Sequence, residues 1–408
     1  AAGTAEQRAK ARYERARLAA RSARLTYTTA EQLAATASLE EIVHRVELVE
    51  QLVSKGGDRR QVTEAILGLV DEPTVSMNGM LQFYFDTICS EKRRSKSPAQ
   101  WRRFQNSRLR AFRRAEECLG EDLPIGKVTR EEGKQFRDHL KRLVDAGSIK
   151  ASTADKDLIY INAVWKAYHE HIDEPDRTSP FLGMRLQRGR AAARDKRLGK
   201  YPPFSREWIE KRLLDPEKLR KLNAPARAIF LIQIEMPVRP SEICNLKPES
   251  IHNDDSPPWI QIRDDENREV KSESALRDLP LVGIAAEVMK LCPNGFPRYA
   301  DKEDSLSAAI NKWLKTNNLK ETDRHVFYSL RHGWKDRAIE HEVDEELREV
   351  MMGHTVGHIV YGRQGSIEKR YEAVADMQIP FDRVIVQQLA EDLKKFEVAS
   401  ATKGRSKS

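Results

Sequence analysis

PARAIFLIQIEMPVRPSEICNL, residues 225–246, decides how the C-terminal half of this chain is read. The stretch 225–236 is apolar on nearly every face, as a helix buried all round would be. Pro237 ends it, since proline brings no N–H and clashes with the preceding turn. Pro240-Ser241-Glu242 opens the next helix, where proline suits the first turn. Arg239 therefore sits between two prolines at the break of a buried element. A guanidinium there is costly unless it meets an anion. The alternative is a structural cation paired with a nearby carboxylate such as Glu242.

Working outward, FYSLRHGWKD (327–336) sets Arg331 and His332 in a helical segment, with Leu330 and Trp334 as its packing residues. WIQIRD and ALRDLPLV, within 259–282, read as strands flanking a polar hairpin that carries Lys271 near its tip. MMGHTVGHIVYG (351–362) holds His354, His358 and Tyr361. The histidine spacing invites a zinc reading, but the position after His354 that needs a general-base Glu is Thr355. Gly353 and Gly357 interrupt a regular helix, and no nearby Cys or Asp supplies a third ligand. No metal and no other cofactor is expected.

Arg239, Lys271, Arg331, His354 and Tyr361 in that order suit phosphoryl transfer to a tyrosine. Two guanidiniums can clamp the non-bridging oxygens of a phosphodiester. Neighbouring cations can activate a tyrosine whose ordinary pKa is about 10. A lysine on a loop can protonate the leaving oxygen.

The N-terminal half is helical and basic. Residues 1–25 carry seven Lys/Arg against two Glu, and 30–70 hold helical patterns broken at SKGGD (54–58). KRRSKSPAQWRRFQNSRLRAFRR (92–114) has ten Lys/Arg and no acid, with Trp101, Phe104, Leu109 and Phe112 at helical spacing. One face is expected to pack and the other to meet phosphate through Lys92, Arg93, Arg94, Lys96, Arg102, Arg103, Arg108 and Arg110. TREEGKQFRDHLKRLVDAG (129–147) starts on an N-cap Thr129 and ends at Gly147, and a striped helix follows over 154–172. RLQRGRAAARDKRLGK (185–200) is a basic linker, with Arg188, Arg190, Lys196 and Arg197 as DNA contacts.

Length, 408 residues, suits two or three domains, and the net charge of +8 favours a polyanionic partner. The four cysteines are scattered, so neither a zinc ribbon nor a disulfide framework is expected and a reducing cytosol fits. No apolar run reaches the roughly 18 residues that cross a bilayer. The chain begins with Ala1, and further residues upstream are expected.

Together these boxes resemble the tyrosine recombinases of the phage integrase family. Val238 to Leu246 resembles the first arginine box, with Met236-Pro237 in place of its usual Thr-Gly. Lys271, Arg277 and Pro280-Leu281 resemble the hairpin lysine and the strand after it. Ser329-Leu330-Arg331-His332 resembles the second box, Met352-Gly353-His354 the Leu-Gly-His element, and Tyr361-Gly362 the nucleophile. The resemblance covers about residues 75–381. Two positions depart from the pattern: Tyr328 replaces the first His of the second box, and His354 lies seven residues before Tyr361, against nine or ten in the family. Tyr371 is the rival nucleophile.

The resemblance implies a mainly α fold with a small antiparallel β-sheet. A helical, SAM-like core-binding domain (73–184) would precede a basic linker (185–203) and an α+β catalytic domain (204–381). Residues 1–72 would be an arm-binding or multimerisation segment, and 382–408 a C-terminal helix and basic tail, docking on a neighbouring protomer. The implied catalytic set is Arg239, Lys271, Tyr328, Arg331, His332, His354 and Tyr361. The implied activity is site-specific cutting and rejoining of DNA through a 3′-phosphotyrosyl bond, to integrate or excise a mobile element. Double-stranded DNA bearing an attachment site is the implied partner, bound by a homotetramer through a Holliday junction, with room for an accessory or directionality factor. The setting would be the bacterial or phage cytoplasm, at the nucleoid. The alternatives are a DNA-binding regulator without the chemistry and a DNA-relaxing topoisomerase.

Overall fold

The computed structural model describes residues 5–56, 58–71, 74–186, 201–264, 273–354 and 365–405. The chain divides into two compact units: Ala1–Ile88 with Arg108–Leu186, and Cys89–Ser107 with Gln187–Ser408. The described residues are mainly helical, with one three-stranded antiparallel sheet.

The helices of the N-terminal half are α1 (Ala5–Ser22), α2 (Ala30–Thr36), α3 (Leu39–Ser54), α4 (Arg59–Ile66), α5 (Met77–Phe83), α6 (Ser90–Arg94), α7 (Pro98–Leu119), α8 (Arg130–Asp145) and α9 (Ala151–His171). Their starts follow the side chains that satisfy orphan N–H groups. Ser38 caps α3 and Asp58 caps α4, while Thr29 on α2 and Thr129 on α8 form reciprocal capping boxes with Gln32 and Glu132. Gly147 follows α8 in the left-handed region (φ +70°), which costs a glycine little. The first four helices have their own small core of Ala16, Ala65 and Val70, with Tyr13 and Tyr27 against it.

Residues 89–107 depart from the expected single domain over 73–184, because they belong to the second unit. The reason is a set of bonds distant in sequence. Ser97 Oγ donates to Asp301 (2.6 Å), the Ala99 amide donates to its other oxygen (3.2 Å), and Arg103 pairs with Glu303.

The second unit continues with α10 (Arg206–Trp208), α11 (Pro216–Leu219), α12 (Ala224–Glu235), α13 (Pro240–Ile243), β1 (Ile251–His252), β2 (Trp259–Ile262), β3 (Arg277–Pro280), α14 (Gly283–Lys290), α15 (Glu303–Thr316), α16 (Ser329–Glu340), α17 (Glu345–Met352), α18 (Ile367–Ala375) and α19 (Val384–Arg405). Every residue of α12 is buried, as its apolar composition demands. Phe230 meets Trp313 and Phe327 at ring separations of 5.0 and 6.4 Å. Where Pro237 breaks the helix, Gln233 Nε2 donates to the carbonyls of Met236 (3.2 Å) and Val238 (2.6 Å), which satisfies those two groups. The sheet runs β1-β2-β3, with Ile260 opposite both Ile251 and Leu279, and Ile262 opposite Arg277. The two-residue β1 was not foreseen, being too short to show an alternation.

The C-terminal helix α19 packs on its own chain. Ile385 and Leu389 lie in the core of the second unit, and Asp392 pairs with the buried Arg227 of α12 at 2.6 Å. Leu389→Ala should therefore cost about 2–5 kcal/mol. It is read as a lower urea midpoint with an unchanged slope, while the exposed Lys394→Ala should stay within about 0.5 kcal/mol.

Candidate functional site

Helix α17 ends on Gly353, whose φ of +64° and ψ of 45° are left-handed. The turn closes with the Gly353 amide donating to Val350 O (2.8 Å) and the His354 amide to Glu349 O (3.0 Å). The carbonyls of Met351, Met352 and Gly353 are left without helical donors. Each accepts from a different arginine. Arg277 Nε donates to Met351 O (2.7 Å), Arg331 Nη2 to Met352 O, and Arg239 Nη2 to Gly353 O (2.9 Å). Glycine is required at 353 for a second reason: a Cβ there would lie 2.7 Å from Arg277 Nη1.

Arg239 occupies the extended N-cap position of α13 (φ −79°, ψ 145°), where the proline break leaves it. Glu242, in the first turn of that helix, accepts from the Arg239 amide (2.7 Å) and from its Nη1 (2.6 Å). The same carboxylate takes Arg277 Nη2 at 2.8 Å and Nη1 at 3.3 Å. Burial pushes the Glu242 carboxyl up, but Arg277 and then Arg239 outweigh it and hold the group below its usual range. Arg239 thus pairs with Glu242, as the structural alternative had it, while one carboxylate serves two guanidiniums.

Arg331 has no carboxylate partner among the described residues. It is buried (1% exposed), and its hydrogen bonds go to the carbonyls of Pro237 and Met352 and, at 3.4 Å, to His354 Nε2. Burial lowers its pKa to about 10. Three guanidiniums and one carboxylate therefore meet at the end of α17. Among the described residues this leaves an excess of desolvated positive charge, which favours an anion.

His354 is half-exposed beside this cluster, with Nδ1 2.5 Å from Glu349 Oε2. Lys335 of α16 holds the other oxygen of Glu349 at 2.6 Å. Burial first, and then Arg331, keep the imidazole pKa below its ordinary value despite the Glu349 bond. His332 is also held low by burial and Arg331. Its ring stacks edge-on against Tyr328 at 5.4 Å, and the Tyr328 ring also faces Tyr201 at 6.3 Å.

Arg239, Arg331 and His354 are thus brought together by the carbonyls and by the Arg331–His354 contact, with Tyr328 and His332 beside Arg331 on α16. Lys271, Tyr361, His358, Arg188, Arg190, Lys196 and Arg197 lie outside the described residues. Tyr371 sits in α18 and packs against the core. No group of three or more potential metal ligands occurs among the described residues. Glu349, Lys335 and the buried role of Arg277 were missed in the sequence. Glu349 and His354 are separated by a helix end, so no periodicity joins them, but the inward position of Arg277 in a strand pattern was a usable signal.

The basic run divides. Lys92, Arg93 and Arg94 are exposed on α6, as is Arg102 on α7, and Lys96 is half-buried. Arg103 is engaged by Glu303, and Arg110 lies 3.6 Å from the buried Asp157. Arg108 stands over the rings of Tyr84 and Tyr160, 5.9 and 5.0 Å from their centres. Of the four apolar residues, Phe112 is buried and Trp101 stacks on Phe104, but Leu109 faces outward.

No family model and no curated protein matches the chain. Among solved structures it is similar to the Tn1549 transposon integrase in complex with transposon right end DNA, at 15% identity and a TM-score of 0.46, over 77% of this chain and 99% of that one. It is similar to a lambda integrase dimer bound to a core site, at 16% identity and a TM-score of 0.49, over 75% and 98% of the two chains. The integrase from mycobacterium phage Brujita is 16% identical, with a TM-score of 0.34 over 76% of this chain and 96% of that one.

Glu242→Gln removes the carboxylate shared by the buried Arg277 and the partly buried Arg239 and should destabilise the fold by about 3–5 kcal/mol. Guanidinium chloride denaturation reads the loss. Added sulfate should recover part of it in thermal melts, because a bound anion offsets the freed charge.

Proposed function

We propose that this chain is a tyrosine recombinase, a site-specific DNA strand-transfer enzyme. The observation that carries the reading is the arginine cluster on the end of α17, in which the partners of the buried Arg331 among the described residues are all neutral. A phosphodiester supplies the missing anion. Arg239 and Arg331 hold its non-bridging oxygens, and charge gathered there in the transition state strengthens both contacts. His354 stands at the rim as a hydrogen-bond partner of the same oxygens.

The remaining roles come from the sequence resemblance. Tyr361, its acidity raised by the neighbouring cations, gives its phenolic proton to solvent and bonds through Oη to phosphorus as the bond from phosphorus to the 5′-oxygen breaks, and Lys271 gives that oxygen its proton. The product is a 3′-phosphotyrosyl ester and a free 5′-hydroxyl. The ester keeps the bond energy, so a second 5′-hydroxyl reverses the step without ATP. Exchange between two duplexes uses four such sites, hence a tetramer on DNA passing through a Holliday junction. Exposed Lys92, Arg93, Arg94 and Arg102 contribute sequence-independent phosphate contacts, whose loss weakens binding and flattens its salt dependence. Integration or excision of a mobile element is the setting that fits a strand exchange between specific sites.

A second reading keeps DNA binding without chemistry. It is favoured by Tyr328, which stands where the family pattern has a histidine and whose ring meets His332 and Tyr201.

Covalent capture separates the two. Purified protein is incubated with DNA flanking its own coding sequence, denatured, and assayed for protein–DNA adducts. Wild type should give an adduct that Tyr361→Phe abolishes and Tyr371→Phe retains. Loss only in Tyr371→Phe moves the nucleophile, and tight binding without any adduct favours the non-catalytic reading.

A further inference from the structure

We propose that Glu349 and Lys335 are positioning residues for His354: they fix its ring with Nδ1 protonated and Nε2 toward Arg331, so that an arriving phosphodiester loads a proton onto Nε2. This rests on the anion-site reading above and adds a proton switch to it.

The tautomer follows from donor arithmetic. A guanidinium has donors and no acceptor, so Arg331 Nη2 at 3.4 Å makes His354 Nε2 the accepting nitrogen. The ring proton then lies on Nδ1, donated to Glu349 Oε2 at 2.5 Å. Glu349 cannot turn away easily, because Lys335 Nζ occupies its other oxygen at 2.6 Å. The two residues are also tied through the backbone, with the His354 amide on Glu349 O at 3.0 Å. Burial pushes the Glu349 carboxyl up, but Lys335 and His354 bring it below its usual range, so it stays ionised at neutral pH.

The charges facing the ring set the switch. From α16 come Arg331, Lys335 and His332, and Arg239 and Arg277 stand behind through the Gly353 and Met351 carbonyls. Among the described residues Glu349 opposes them at the ring itself, and Glu242 offsets part of the charge of Arg239 and Arg277. In this state the ring is neutral at pH 7, in line with its lowered pKa. A phosphodiester reverses the balance. Its oxygens take the donors of Arg331, which frees Nε2, and its charge favours the imidazolium. An opposite charge at that range lifts a pKa by about 1–3. Nε2 then changes from acceptor to donor, toward the phosphate. In a chain with Tyr328 at the second box, this assigns proton handling at the phosphate to His354.

The test is nitrogen NMR of the full chain with ring-¹⁵N histidine and guanidino-¹⁵N arginine, the Arg331 signals assigned by Arg331→Lys, titrated from about pH 5 to 8.5, a range that brackets the ordinary histidine pKa. The probe is dimethyl phosphate, a monoanionic phosphodiester that does not titrate in that range. Loss of one signal in His354→Gln assigns the ring, and unchanged signals from His325, buried in the same unit, report that each variant is folded. Wild type should show the Nδ1–H form at high pH, and saturating probe should raise the His354 protonation constant at least about tenfold, one pH unit. Glu349→Gln should mix the tautomers and abolish most of that rise. Lys335→Met should weaken it and Lys335→Arg should restore it. An Nε2–H ring in wild type, or an unaltered tautomer and rise in Glu349→Gln, overturns the proposal. So does an unmoved His354 midpoint while the Arg331 side-chain signals respond to probe. If neither Arg331 nor His354 responds, the anion site itself fails, and the switch falls with it.

Discussion

Three consecutive carbonyls at the end of one helix organise this site. A helix terminus leaves its last C=O groups without donors and concentrates partial negative charge on them. Here those groups are spent on Arg277, Arg331 and Arg239, which arrive from β3, α16 and the break before α13. The left-handed Gly353 lets the chain turn without a side chain in the way of Arg277. Elements distant in sequence are thereby joined at one point by partners that neutralise none of the arginines. The carbonyls orient the charge, and Glu242 alone compensates part of it.

That arrangement needs a stiff foundation, and α12 supplies it. A helix buried on all sides presents its neighbours with an apolar surface and ends where Pro237 forbids continuation. The freed carbonyls near the break are taken by Gln233 and, at Pro237 itself, by Arg331. The proline break thus both places Arg239 and gives Arg331 one of its anchors. Farther along, Arg337 of α16 donates to Ile234 O, and Glu235 Oε1 accepts from the Ile379 amide. The helix that carries Arg331 is held to α12 by Arg337 and to the proline break just after it by Arg331.

Much of this was legible in the sequence, and the reason is locality. The apolar run, the prolines and the capping residues act over a few positions, so α12, α8 and the strands at 259–262 and 277–280 could be read directly. Arg239, Arg331 and His354 stood out because each lies in a short box whose neighbours explain its packing. What was hidden depends on partners far away in the chain. The bonds from Ser97 and Ala99 to Asp301 carry 89–107 into the second unit, and nothing in the basic run announces them. Glu349 meets His354 only because the chain reverses at Gly353, and Lys335 meets Glu349 only because two helices come together. Arg277 stands in the strand expected after the hairpin lysine, but its bonds to Glu242 and to the Met351 carbonyl join residues far apart in the chain.

The balance of charge gives the site its direction. Replacing a buried ion pair by apolar residues is often neutral or stabilising, so charge retained in a core asks for a use. In this cluster the pairing is incomplete by design of the residues present: Glu242 has two oxygens and two arginines on them, and Arg331 receives only dipoles. Carbonyl dipoles can hold a guanidinium in place without cancelling its field. An anion entering beside Arg331 therefore meets a preformed, desolvated and positively charged seat, and little reorganisation opposes its binding. The same field that welcomes the anion keeps His354 neutral beforehand, since the ring faces the same cations. Occupancy and protonation are then linked through one electrostatic balance, with Glu349 as the fixed negative charge that keeps the ring within reach of it.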